Sequence, residues 1–295
     1  MQFPSWKSLI IVSMLALATL LSGCGAVRFA YGQGPDLAYW WLDGYADFNE
    51  EQTPRARDAL TAWFRWHRAT QLPDYAQFLL TLQSQANAPV TPAQVCSLYQ
   101  QAWGRLDPMI ERALPAAVET VQSLTLAQVA HIERKYAKVN AEFRSTYLQA
   151  DPAERLEESV ERAVNRAEML YGSLDDTQLA NLARAIAASP FDAELWLQER
   201  MLRQQDVLKT LRRLVNERAP AEPTLAAIRT LVAHAQRSPR EVYTRYQARL
   251  HEYNCKVAAE LHNSTSREQR LVAVKKLKSW EEDARALAAD AARAP

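Results

Sequence analysis

Apolar positions recur every three or four residues along most of the chain. Val129, Ile132, Tyr136, Val139, Phe143 and Tyr147 form one such stripe. Tyr243, Tyr246, Leu250, Tyr253, Val257 and Leu261 form a second, and Leu197, Met201, Leu208, Leu211 and Val215 a third. This spacing gathers each set on one face of an α-helix. No stretch alternates convincingly with period two, and no Asn-Gly or Asp-Gly pair marks a hairpin turn. Prolines such as Pro73, Pro92, Pro152 and Pro220 stand near predicted helix ends or first turns. Pro115 falls inside a predicted helix, where a kink is expected. The pattern predicts an all-α protein, an elongated multi-helix bundle of about ten helices, with the helical domain spanning 37–292.

One local pattern recurs at the predicted helix starts. A polar cap residue is followed three positions later by glutamine: Asn49 with Gln52, Thr91 with Gln94, Thr125 with Gln128, Asp175 with Gln178, and Ser266 with Gln269. Each fits a capping box, in which the cap oxygen accepts from the third amide and the glutamine reaches back to the cap amide. The caps are separated by 42, 34, 50 and 91 residues, which argues against equal solenoid repeats.

The N-terminus has a different character. A short polar start ends at Lys7, and an apolar run from Leu9 to Leu21 follows. That run is shorter than the ~20 residues needed to span a bilayer. It ends in Leu21-Ser22-Gly23-Cys24, which resembles the lipobox of bacterial lipoproteins. The resemblance implies that residues 1–23 are a signal peptide, cleaved between Gly23 and Cys24. It also implies that the Cys24 thiol takes up lipid, palmitate included. Each buried methylene of such chains adds about 0.8 kcal/mol of membrane affinity. Residues 24–36 are then expected to be a lipidated N-terminus and linker, with Gly25, Gly32, Gly34 and Pro35 in it. The alternative is an ordinary membrane anchor with a chance cysteine. Gly25 stands where lipoproteins retained at the inner membrane usually carry aspartate. The expected address is therefore the outer membrane, lipid-anchored, with the body facing the periplasm.

Composition narrows the chemistry. Seven glycines in 295 residues leave no glycine-rich phosphate loop and no dinucleotide fingerprint in the body. The formal net charge is +1, and without Lys7 the remaining chain carries 34 basic and 34 acidic side chains. A neutral body has no long-range field to attract phosphates, which argues against a nucleic-acid partner. With Cys24 assigned to lipid, Cys96 and Cys255 remain as an even pair in an oxidising compartment. They either form a disulfide or stay as two buried free thiols. No CxxC pair and no HExxH motif is present, and no cofactor or metal is expected.

Leu124-Thr125-Leu126-Ala127-Gln128 resembles the LTXXQ motif of small periplasmic stress chaperones, which are all-helical cradles; only this one of the five boxes matches it literally. A wider set of short motifs resembles an uncharacterised family of Gram-negative lipoproteins. These are Arg28-Phe29-Ala30-Tyr31, Tyr39-Trp40-Trp41-Leu42-Asp43, Trp66-His67-Arg68, Leu72-Pro73-Asp74-Tyr75, Tyr253-Asn254-Cys255 and Leu261-His262-Asn263-Ser264-Thr265. The resemblance runs from the signal to about residue 290. It implies a helical periplasmic lipoprotein with no assigned reaction.

Twelve of the 26 aromatic residues lie between Phe29 and Phe78. Trp40, Trp41, Trp63, Trp66 and His67 are the candidate binding surface within this cluster. Three uses are open: packing core, a groove for a partner or ligand, and contact with the membrane interface. His67 with Asp43 is the candidate catalytic pair of an envelope hydrolase, and Arg68 with Asp43 or Asp47 could share the His67 pocket. No serine or paired-carboxylate signature accompanies it. The leading expectation is a non-enzymatic lipoprotein that binds a periplasmic protein or peptide or maintains the envelope. An LTXXQ-like chaperone and a hydrolase are the alternatives.

Overall fold

Five capping boxes are expected at helix starts, and all five form. In each, the cap side-chain oxygen accepts from the glutamine amide, and the glutamine Oε1 accepts from the cap amide. The computed structural model describes residues 25–293. Gly23, Cys24 and the apolar run before them lie outside the described residues. Of the described residues 86% are helical, and no strand occurs among them.

Helices α1 (Gly25–Gly32), α2 (Gly34–Ala46) and α3 (Gln52–Trp66) come first. A π-helical turn at His67–Gln71 carries α3 directly into α4 (Leu72–Gln85). Next are α5 (Pro92–Gly104) and α6 (Leu106–Ser123), with only Arg105 between them. The series continues with α7 (Leu126–Tyr147), α8 (Pro152–Tyr171), α9 (Asp176–Ala187) and α10 (Ala193–Asn216). It closes with α11 (Ala221–Gln236), α12 (Glu241–Ser264) and α13 (Arg267–Arg293). Thirteen α-helical segments stand among the described residues, with short breaks at Gln33 and Arg105 dividing longer rods, in keeping with the all-α multi-helix bundle expected. Helix α6 runs through Pro115.

The main packing partners are distant in sequence. Helix α13 lies along α4 and also touches the π turn, α1 and α8. Helix α12 packs on α5, α10 on α7, and α11 on α6. The predicted stripes supply these seams. Val129 and Ile132 of α7 meet Leu208 and Leu211 of α10 in one buried cluster. Leu72 and Ala76 of α4 meet Ala284 and Leu287 of α13 in another. Cys96 of α5 is bonded to Cys255 of α12, with 5.4 Å between their Cα atoms. The disulfide is therefore formed, and the free-thiol alternative falls.

The capping boxes also join the bundle to itself. Gln128 Nε2 donates to Gln52 Oε1 at 2.7 Å and to the carbonyls of Ala46 and Asp47. In return Gln52 Nε2 donates to the Ser123 carbonyl at 2.7 Å. Gln178 and Gln269 repeat the arrangement. Each donates to the other's Oε1 at 2.8 Å, and each reaches the carbonyl two residues before the other's cap, Ser264 or Ser173. One side chain thus caps its own helix and fastens the start of another. The fifth box, at Thr91, is fixed differently: the Asn263 side chain bonds both the amide and the carbonyl of Val90.

The segment expected as a linker needs correction. Residues 25–32 are helical and helix resumes at Gly34. Gly34 is a packing position, since a Cβ there would lie 2.5 Å from Cε1 of Phe64. The glycines and Pro35 point to a linker, but Pro35 suits a helix first turn and Gly34 permits close helix approach.

Candidate functional site

The densest aromatic arrangement forms around the π turn. A continuous helix from Gln52 to Gln85 would require the amide of residue 73 to bond the Ala69 carbonyl. Pro73 has no N–H, and its ring crowds that carbonyl. The helix widens just before it, and the Leu72 amide bonds the His67 carbonyl instead. Wide turns of this kind often mark functional positions.

His67 opens this wide turn and is buried, at 7% exposure. Its ring stacks on Trp63 at 5.1 Å between centroids and on Tyr31 at 5.8 Å. Tyr75 meets it edge-on at 5.5 Å. The Tyr31 hydroxyl lies 2.5 Å from His67 Nδ1. Burial pushes the Tyr31 pKa up to about 12, with Arg68 opposing the rise. The phenol therefore keeps its proton and is placed to donate it to Nδ1. Burial also pushes the His67 pKa below its ordinary value. A neutral imidazole with its proton on Nε2 satisfies both observations. Arg68 lies over the Tyr31 ring at 5.1 Å.

These shifts give a pH dependence. A His whose pKa is lower in the folded state than in the unfolded chain stabilises the fold fully above about pH 6.5 and loses that contribution as pH falls below it. Urea unfolding at pH 7.5 and 5.5 should show a loss of stability on acidification that is smaller in His67→Gln. Equal losses in the two proteins would contradict this account of the cluster.

The candidate surface residues separate into two groups. Trp63 and Trp66 are half-buried beside the buried His67: Trp63 Nε1 donates to the Met109 carbonyl on α6, and its ring is 6.1 Å from that of Trp66. Trp40 and Trp41 are 74% and 58% exposed. The expected pairing of His67 with Asp43 or Asp47 does not occur. Asp43 accepts from the Phe48 amide at 2.9 Å, closing the turn after α2, and Asp47 stands 3.8 Å from His131. The partners His67 does have, Tyr31 and Tyr75, lie 36 residues before it and 8 after it. Sequence spacing missed Tyr31 because the contact depends on how α1 folds back.

Two further places bring polar groups together. A groove of about 470 Å³ runs between α9 and α12, lined by Asn181, Arg184, Tyr253, Lys256 and Glu260 among others. Cys96, His251 and Cys255 bring three soft donor atoms within 4.8 Å of one another. Both sulfurs are in the disulfide, so this set offers no thiolates to a cation.

Residues 44–236 match the model of a family described only as a family of unknown function (DUF6279). The chain belongs to that family. The matched range holds the π turn, Trp63, Trp66, His67 and four of the five capping boxes. It leaves out Arg28-Phe29-Ala30-Tyr31 and the motifs around Cys255 and His262, so it is narrower than the resemblance read from the sequence. No curated protein and no solved structure matches the chain.

Proposed function

We propose that this family member is an outer-membrane lipoprotein, held by lipid on Cys24, whose helical body binds a protein or peptide partner in the periplasm without catalysing a reaction. The observation that carries the anchor is Leu21-Ser22-Gly23-Cys24 at the end of a short apolar run. A body built for binding is supported by its rigidity. A disulfide spans 159 residues, and two glutamine pairs lock helix starts together. His67 is walled by rings, and the Asp43 carboxylate is engaged with the chain turn at Phe48. That geometry favours binding over an envelope hydrolase built on this pair.

The chaperone alternative rests on the LTXXQ resemblance of Leu124–Gln128. The capping and cross-helix bonds of Gln128 account for that motif as part of the fold. Metabolic labelling with radioactive palmitate tests the anchor. The native chain should take up label and fractionate with outer membranes, and Cys24→Ala should do neither. Label retained by Cys24→Ala, or absent from the native chain, would overturn the anchor. Crosslinking in intact cells tests the binding role; recovery of the chain only as an uncrosslinked species would count against it.

A further inference from the structure

The arm formed by α1 and α2 leaves large apolar side chains in the open. Val27 is 48% exposed, Phe29 68%, Leu37 58%, Trp40 74% and Trp41 58%. The exposed residues of α2 are Asp36, Leu37, Trp40 and Trp41. Steps of three and four place Leu37, Trp40 and Trp41 on one flank. The only charge there, Asp36, is paired with Arg57 at 2.7 Å.

The other flank of α2 is committed to the bundle. Tyr39 bonds Thr53 and stacks on Phe48, Tyr45 packs edge-on against Tyr136, and Ala46 is buried. These contacts fix the rotation of the helix, so Trp40 and Trp41 cannot turn inward without breaking them. Two tryptophans held outward on a fixed helix require an explanation that core packing does not provide.

The position of the arm identifies what covers it. Gly25, the first described residue of helix α1, follows the proposed lipid attachment directly in sequence. At 1.5 Å per residue, Trp40 lies within roughly 24 Å of helix path from Cys24. A helix tethered at its first residue is held at the bilayer surface. Tryptophan favours headgroup depth, where the indole ring is in an apolar environment and its N–H meets water. We propose that α1 and α2 lie in the membrane interface, with Phe29, Leu37, Trp40 and Trp41 inserted among lipid headgroups and upper acyl chains. The lipid on Cys24 then serves as one of two membrane contacts, and the aromatic flank sets the orientation of the body. This inference rests on the anchoring proposed above.

The test uses the full chain, processed in cells and reconstituted in vesicles of phosphatidylethanolamine and phosphatidylglycerol. Some vesicles carry lipids brominated on their acyl chains, which quench tryptophan on contact. Seven of the eight tryptophans follow Cys24. Bromolipid should quench roughly a quarter of the emission, the share of two interfacial rings in seven. The Trp40→Phe, Trp41→Phe double variant should lose that quenching, and Trp103→Phe should keep it. An acylated chain with no quenching, or with quenching that survives the double substitution, overturns the seating and leaves the anchor intact. Mass spectrometry of the same sample reports the acyl groups separately. Their absence overturns the anchor, and the seating with it.

Discussion

The Cys96→Ser, Cys255→Ser double substitution should lower the unfolding free energy by about 4–5 kcal/mol. The bridge closes a loop of 159 residues, and constraint of the unfolded chain grows with the logarithm of loop length. Few loops in a protein of this size would be longer. The bond also ties α5 to α12 close to where Asn263 holds Val90 and His262 Nε2 bonds the Ala88 carbonyl at 2.9 Å. Loosening it should therefore expose the α4–α5 connection first. Urea titration of the native and substituted chains measures the loss. Dithiothreitol should reduce the stability of the native protein by a similar amount and leave the double variant unchanged. A loss below about 1 kcal/mol would show that the unfolded chain is already constrained by other means.

Gln128→Ala should cost about 3–4 kcal/mol, far more than an ordinary helix cap. Loss of a cap costs about 1 kcal/mol. Gln128 is buried, and its amide satisfies the carbonyls of Ala46 and Asp47 as well as Gln52 Oε1. Each buried polar group left without a partner adds about 1–3 kcal/mol. Gln128→Glu separates the two roles. The carboxylate still accepts from the Thr125 amide, so the cap survives, but it cannot donate to the α2–α3 turn. It also sets an anionic oxygen against Gln52 Oε1. Thermal and urea unfolding should therefore rank the native chain above both variants, with Gln128→Glu nearer to Gln128→Ala than to the native chain. If Gln128→Glu matched the native stability, the cross-helix bonds would carry no weight. The Gln178–Gln269 pair predicts the same ranking at the second junction.

The helices were legible because their signals are local. Stripes such as Val129, Ile132 and Phe143 became buried faces, and Asn49, Thr91, Thr125, Asp175 and Ser266 each became a cap. The disulfide was legible as one of two outcomes, because an even pair of cysteines suggests it but only packing brings the Cα atoms within reach. The glutamine pairs were not legible, since partners 76 and 91 residues apart meet only after the helices dock. The π turn was missed for a different reason. Pro73 signalled a helix end, whereas a continuing helix accommodated it by widening one turn. Clustering of aromatics was visible, but their division was not. Trp63 turns towards His67 and α6 with Trp66 beside it, and Trp40 and Trp41 turn outward, which depends on the face of α2 that α3 and α7 cover.

The proposed tether at Cys24 is the premise on which the proposed address, the expected oxidising compartment and the proposed seating of the aromatic arm all rest. Intact mass measurement of the protein extracted from its native envelope tests it directly. The predicted result is a chain that starts at Cys24 and carries the added mass of a diacylglycerol and a further acyl group. A chain that retains Met1 and no hydrocarbon would contradict the account.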